Sequence, residues 1–186
     1  MSSKPVALIL GAGPRVGAAV ASKFIANFYS TVIVSRKGKN TVEGTTSLAA
    51  DLSEPASIPG VFRHVKEMFG VPPSVVIYNA AAMTPPPIAD SMFSIPVESF
   101  GADLNINTVS AYVAAQEAVK GWYLLPKETK KTFIYTGNIL NTTVFPVPMM
   151  MTLGVGKSAS AYWIGVADAS YSALGARWVD LLDLEM

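Results

Sequence analysis

The sequence predicts an α/β fold, a doubly wound parallel sheet of about six strands in a three-layer αβα arrangement. Three observations predict it. Continuous apolar runs rich in β-branched residues recur at 6–10, 31–34, 74–78 and 132–135. Such runs mark strands covered on both faces. Amphipathic helical stretches separate most of them, the alternation that builds parallel crossovers. The first run passes directly into Gly11-Ala12-Gly13-Pro14-Arg15-Val16-Gly17 and then a small-residue helix. Strand, glycine turn and helix start, in that order, form the context in which such a turn receives a nucleotide phosphate.

Composition narrows the class. The 186 residues suit one domain over 1–186 with a substantial core. Hydrophobic residues make up 51% and charged residues 15%, so some apolar surface is expected to be covered by a partner, most simply a second copy. A net charge of +1 argues against nucleic acid or an anionic membrane as partner. There is no cysteine, which excludes disulfides and thiolate metal sites, and no metal site is expected. His64, the one histidine, sits among Arg63, Lys66 and Glu67 and reads as a solvated surface residue. The apolar N-terminal run is too short for a signal peptide. The longest uncharged run, 132–156, carries Pro146, Pro148, Asn138 and Asn141, which would leave backbone groups unsatisfied in a bilayer. A cytoplasmic protein is expected.

In chain order, the glycines of the first turn let the backbone approach a pyrophosphate. Arg15 and Val16 open a helix over 15–27 whose N-terminal N–H groups face it. Ser35, Arg36 and Lys37 follow the second strand. An acidic residue there would bind an adenosine 2′-hydroxyl; basic residues accommodate a 2′-phosphate, and a guanidinium matches it bidentately. No helical pattern appears over 40–46, so that crossover is expected to lack a full helix. A third strand over 47–50 leads to Asp51-Leu52, then a helix over 55–68. The fourth strand ends in Asn79-Ala80-Ala81, small residues against which a cofactor can lie. A proline-rich loop follows, then a helical segment over 97–125 with a break expected near Gly101. The fifth strand runs into Thr136-Gly137-Asn138, an apolar loop covers 144–151, and a helix is expected over 154–174 with Lys157 and Asp168 its charges. A helix apolar all round must pack on more than the sheet. Val155, Ala159 and Ala161 read as buried neighbours of Lys157. A sixth strand is expected over 176–182.

The order and spacing of these residues resemble the short-chain dehydrogenase/reductase family, with its Rossmann-type fold, over essentially the whole chain. Gly11, Gly13 and Gly17 are similar to its opening motif, with Arg15 at the usual middle glycine. Asp51-Leu52 resembles the adenine-holding pair, Asn79-Ala80-Ala81 the Asn-Ala-Gly turn, Asn107 the active-site asparagine, and Lys157 the lysine of Tyr-x-x-x-Lys. The resemblance implies NADP(H) as cofactor, given Arg36, Lys37 and Arg15. It also implies a homodimer or homotetramer formed through the helices at 103–125 and 154–174. The family's tyrosine position holds Leu153, and in place of its serine the chain offers Thr136, Gly137 and Asn138. In the family the phenol donates a proton during carbonyl reduction by hydride, the lysine lowers the phenol pKa and binds ribose, and the serine polarises the carbonyl. Leucine has no proton to give, so water, Thr152 or a group near Asn138 is the expected donor. The family continues past the sixth strand, whereas this sequence closes at Met186, so a substrate pocket is expected to be shallow or completed by a partner chain. The expectation is an NADP(H)-dependent oxidoreductase acting on a small hydrophobic carbonyl or alcohol. The alternatives are an NADP(H)-binding sensor without turnover, or non-redox chemistry in a pocket lined by 145–153.

Overall fold

The computed structural model describes residues 4–39 and 42–181. Its sheet carries six parallel strands: β1 (Val6–Leu10), β2 (Ser30–Ser35), β3 (Thr45–Ala49), β4 (Val75–Tyr78), β5 (Lys131–Thr136) and β6 (Ala176–Leu181). They lie in the order β3-β2-β1-β4-β5-β6, so the direction of winding reverses between β1 and β4. All five residues of β1 are fully buried at the centre. Ligands in open α/β sheets bind beyond the carboxyl ends of the strands at such a reversal.

Helices α1 (Val16–Ala26), α2 (Ile58–Phe69), α3 (Val97–Leu104), α4 (Ser110–Trp122) and α5 (Met151–Ser170) cover the two faces. On one face Ala7, Ile9, Ile33, Val75 and Ile77 pack against α1 through Ala21, Val20 and Phe24. The alternate residues of the same strands, Leu8, Leu10, Val32, Val34, Val76 and Tyr78, pack against α2, α4 and α5. The two-residue period of a strand produces this split, with both sets apolar because both faces are covered. No helix occupies the described residues between β2 and β3, as expected. The expected β3 over 47–50 begins two residues earlier, and the last residue of the expected sixth strand, 182, lies outside the described residues.

Two expectations are corrected. The helical segment is not broken at Gly101: α3 runs through it, and the irregularity is a π-helical turn at Asn105–Val109, joining α3 to α4. Its cause lies elsewhere in the chain. The Tyr78 hydroxyl donates to Ile106 O at 2.6 Å, the Tyr135 hydroxyl to Asn107 O at 2.6 Å, and Ser160 Oγ to Asn107 O at 3.0 Å. A widened turn releases carbonyls from the helical ladder, and these three hydroxyls satisfy them. The last helix begins at Met151 rather than 154, and its buried face is Thr152, Gly156, Lys157, Ser160, Ile164 and Ala167. Val155 and Ala159, read as buried from sequence, are exposed, whereas the lysine between them is only 4% exposed. Among the described residues no helix is long and apolar enough to cross a membrane.

Candidate functional site

The turn after β1 is shaped by what its backbone must approach. Gly11 has φ +90°, and a Cβ there would lie 2.5 Å from Ala80 N. Asn79 closes the junction, its Nδ2 donating to Gly11 O at 2.9 Å. At Gly17 a Cβ would meet Ala12 Cα at 2.6 Å, so α1 starts directly against the turn. Gly13 differs: nothing lies within 4 Å of its Cβ position. Two glycines let the turn fold, and the third leaves an open face. Beside that face the amides of Arg15, Val16 and Gly17 take no protein acceptor among the described residues, while Ala18 N already donates to Gly13 O at 3.0 Å. Free first-turn amides and the helix dipole favour an anion.

A cleft of about 650 Å³ opens there. Gly11, Gly13, Ser35, Arg36, Asp51, Leu52, Asn79, Ala80 and Ala81 all line it. Arg15, Val16 and Gly17 stand at the turn without lining it; Lys37 is exposed outside it. Asp51 accepts from Ser53 N at 2.9 Å and Ser53 Oγ at 2.8 Å. Those two bonds, aided by the nearby Arg36 charge, hold its carboxyl below the usual range. Ala82, the next small residue after Ala81, also lines the cleft, as do Ser53, Met83, Asp103 and Ile106, which were not singled out from sequence. The Asp-x-Ser turn was a signal for Ser53; Asp103 and Ile106 carry none, because the cleft reaches them only through the packing of α3.

The remaining candidates gather at the carboxyl ends of β5 and β6. Asn107 is fully buried; its Oδ1 accepts from Ala82 N and its Nδ2 donates to Ala82 O, both at 2.8 Å. It thereby ties the π-helical turn to the loop lining the cleft. Lys157 Nζ donates to Thr136 O at 2.6 Å and lies 4.4 Å from the centre of the Tyr135 ring. Burial lowers its pKa to about 8, opposed by the Asp180 charge. Thr136 Oγ1 donates to Tyr78 O at 3.3 Å, bridging two strand ends. Asn138 caps the turn at Ile139–Asn141: its side chain accepts from Leu140 N at 3.0 Å, while Asn141 Oδ1 accepts from Asn138 N at 3.2 Å. Thr152 is fully buried and accepts weakly from Thr84 N at 3.4 Å, an amide also bonded by Asp103 Oδ2 at 2.6 Å. Leu153 stands one turn before Lys157, half-buried. The apolar loop residues Phe145, Val147 and Met149 are partly exposed and do not line the cleft, against the expectation of a pocket lined by 145–153.

A twisted parallel sheet, a glycine turn leading into α1 and a cleft at the strand-order reversal together define a Rossmann-type α/β protein. No family model matches the chain. It is 40% identical over 187 residues to the short chain dehydrogenase/reductase dmxR12 of Cryptosporiopsis sp. (strain 8999), covering 95% of this chain and 75% of that protein. The chain belongs to the short-chain dehydrogenase/reductase family. Solved structures share the fold at low identity. An oxidoreductase of this family from Brucella ovis, in complex with a partially ordered NAD, superposes with TM-score 0.82 at 15% identity, covering 98% of this chain and 84% of that one. For 4-hydroxyisoleucine dehydrogenase complexed with NADH the TM-score is 0.80 at 15% identity, covering 94% of this chain and 73% of that one.

Proposed function

We propose that this protein is an NADP(H)-dependent oxidoreductase acting on a small hydrophobic carbonyl or alcohol, as one domain over 1–186. The observation that carries the reading is Arg36, which lines the cleft immediately beyond β2, where an NAD-binding chain needs a carboxylate. The residues fit the cofactor. Gly13 and the free amides of Arg15, Val16 and Gly17 would receive the pyrophosphate, Asp51 and Leu52 the adenine, Ser35, Arg36 and Lys37 the 2′-phosphate, and Asn79, Ala80 and Ala81 the nicotinamide side. When bound, the nicotinamide supplies or accepts a hydride. Asn107 holds the Ala82 loop that lines the cleft, and Lys157 brings a positive charge to the strand ends. Thr136 and Asn138 are committed to their own strand-end and capping bonds, and act through the backbone they hold.

Leu153 favours a second reading, a protein that binds NADP(H) without redox turnover. The first reading still stands beside it, because proton donation contributes ~10²–10⁴-fold to carbonyl reduction and its loss slows hydride transfer without abolishing it. The cysteine-free composition is compatible with the reducing cytoplasm, where the enzyme is placed in this reading. Tyr112, Val155, Tyr162 and Val166, exposed on α4 and α5, support assembly into a homodimer or homotetramer through those helices.

Fluorescence titration with NADPH and NADH tests the cofactor. NADPH is expected to bind more tightly, and Arg36→Asp to reverse the preference by at least ~10-fold, about the worth of one charge-assisted contact. Failure of both nucleotides to bind below millimolar concentration refutes the cofactor site; a preference unmoved by Arg36→Asp refutes the 2′-phosphate role. Turnover of ketones and aldehydes then separates enzyme from sensor.

A further inference from the structure

Gly137 sits one residue beyond β5, in a position where no side chain fits. A Cβ built on it would overlap Asn141 Nδ2 and Asp180 Oδ1. The volume a side chain at 137 would enter is therefore already filled, by a carboxamide from four residues downstream and a carboxylate from β6. Asn141 is only 7% exposed. Its amide orientation is set by its two partners: Oδ1 accepts from Asn138 N at 3.2 Å, and Nδ2 donates to Asp180 Oδ2 at 2.6 Å. A carboxylate only accepts and a backbone N–H only donates, so the amide cannot be reversed. Nδ2 has two hydrogens, and among the described residues only Asp180 takes one. The other carboxylate oxygen, Asp180 Oδ1, is buried without a partner. A fully satisfied structural lock would leave neither over.

The geometry points to Asn141, anchored by Asp180, as the donor that a substrate carbonyl oxygen meets beyond the end of β5, where residue 137 carries no side chain. The inference rests on the oxidoreductase reading above. Three features follow from it together: the glycine at 137, the fixed amide, and the uncommitted N–H. Asp180 acts as a positioning residue, holding Nδ2 in the vacated side-chain volume, and its charge also faces Lys157. In the reduction, the carbonyl carbon receives a hydride from the reduced nicotinamide and the C=O π pair moves onto oxygen. The Asn141 N–H bonds that oxygen and keeps its own hydrogen; the proton that completes the alcohol comes from water.

The test uses the full chain with NADPH and phenanthrenequinone, a reactive aromatic diketone. Removing one preorganised donor costs ~10²–10³-fold in turnover, so Asn141→Ala is expected to lower kcat at least ~10-fold while NADPH affinity stays within about twofold. Asn141→Ala together with Asp180→Ala opens the space that Gly137 needs. The triple variant Asn141→Ala, Asp180→Ala and Gly137→Ser is expected to recover most of the lost kcat, which a lost structural lock would not allow. Asp180→Asn should fall between. Independently of turnover, the Asn141 side-chain amide resonance in the wild-type protein should shift when the diketone is added, and the Asn138 amide should not. Wild-type kcat in Asn141→Ala overturns the proposal. So does an unrescued triple variant that unfolds at the wild-type temperature and binds NADPH, or an unmoved Asn141 resonance. Absence of NADPH binding in the wild type instead refutes the cofactor reading, and NADPH binding without reduction of the diketone refutes the oxidoreductase reading.

Discussion

At the glycine turn, Gly11, Ala12 and Asn79 are held by backbone atoms of β1 and β2: Gly11 N and Ala12 N both donate to Val34 O at 3.0 Å, and Asn79 N donates to Leu10 O at 2.8 Å. At the ends of β5 and β6 the work falls instead on side chains, with Lys157 on Thr136 O, Asn141 on Asp180 and Tyr135 on Asn107 O. The first region resembles the family's pattern closely; the second departs from it at 136–138, where a serine is expected, and at 153. The contrast follows from what each region is made of. A backbone-built turn allows little substitution at Gly11 and Gly17, because a Cβ at either meets main chain. A side-chain cluster can exchange one donor for another while the fold stands.

Gly11→Val should break the first region outright. It places a branched side chain at φ +90° and into the Ala80 backbone. Left-handed backbone costs a β-branched residue roughly 1–2 kcal/mol and overpacking roughly 1–3 kcal/mol more, a large part of the stability of a domain this size. Little folded protein and no NADPH binding are expected. A soluble variant with wild-type affinity would show that the turn is not backbone-limited.

Leu153→Tyr probes the opposite property in the second region. It restores a phenol one turn before Lys157, and ketone reduction should rise by up to ~10²-fold, the lower part of the range for a positioned proton donor, with NADPH affinity little changed. An unchanged rate would mean that residue 153 does not face the reacting oxygen.

Lys157→Met separates function from stability. The folded lysine titrates at about 8, below its ordinary 10.5, because burial penalises the charge. Between those values the unfolded chain holds the proton and the folded chain does not, so this group's contribution to stability rises with pH across that window and its cost is full below it. The methionine variant should therefore unfold a few degrees higher than wild type at pH 7, with the gap closing toward pH 10.5, while binding NADPH more weakly. Thermal melts across pH check this; a gap that does not narrow would place the charge in a better-solvated setting than its 4% exposure implies.

The sheet is readable in the sequence because buried parallel strands need apolar residues on both faces, and β1, β2, β4 and β5 supply them without interruption. The cofactor half is readable for a related reason: Gly11, Arg36, Asp51 and Asn79 each stand just beyond a strand end, and Gly17 in the first turn of the helix that follows β1, so their place follows once the strands are known. The π-helical turn is not, since it depends on hydroxyls from Tyr78, Tyr135 and Ser160, each distant in the chain. Asn141 and Asp180 lie 39 residues apart and meet only because β6 pairs with β5. Nor could periodicity show that α5 turns Lys157 inward and Val155 outward, because small residues such as Gly154, Gly156, Ala159 and Ala161 leave that helix without a marked apolar stripe.

Asn138→Ala carries the smallest expected effect and the finest distinction. Asn138 accepts from Leu140 N and presents its own N–H to Asn141 Oδ1. Replacing a capping asparagine by alanine costs ~0.5–2 kcal/mol, here on a single short turn, so a drop of a few degrees in unfolding temperature is expected. The variant keeps its backbone N–H, and with it the bond that orients the Asn141 amide. If Asn138 serves only as a cap, kcat for the diketone should remain within about threefold of wild type despite that drop. A loss comparable to that of Asn141→Ala, in a variant that still binds NADPH, would move the reacting group from residue 141 to residue 138 and return the site to the strand end where the sequence first places it.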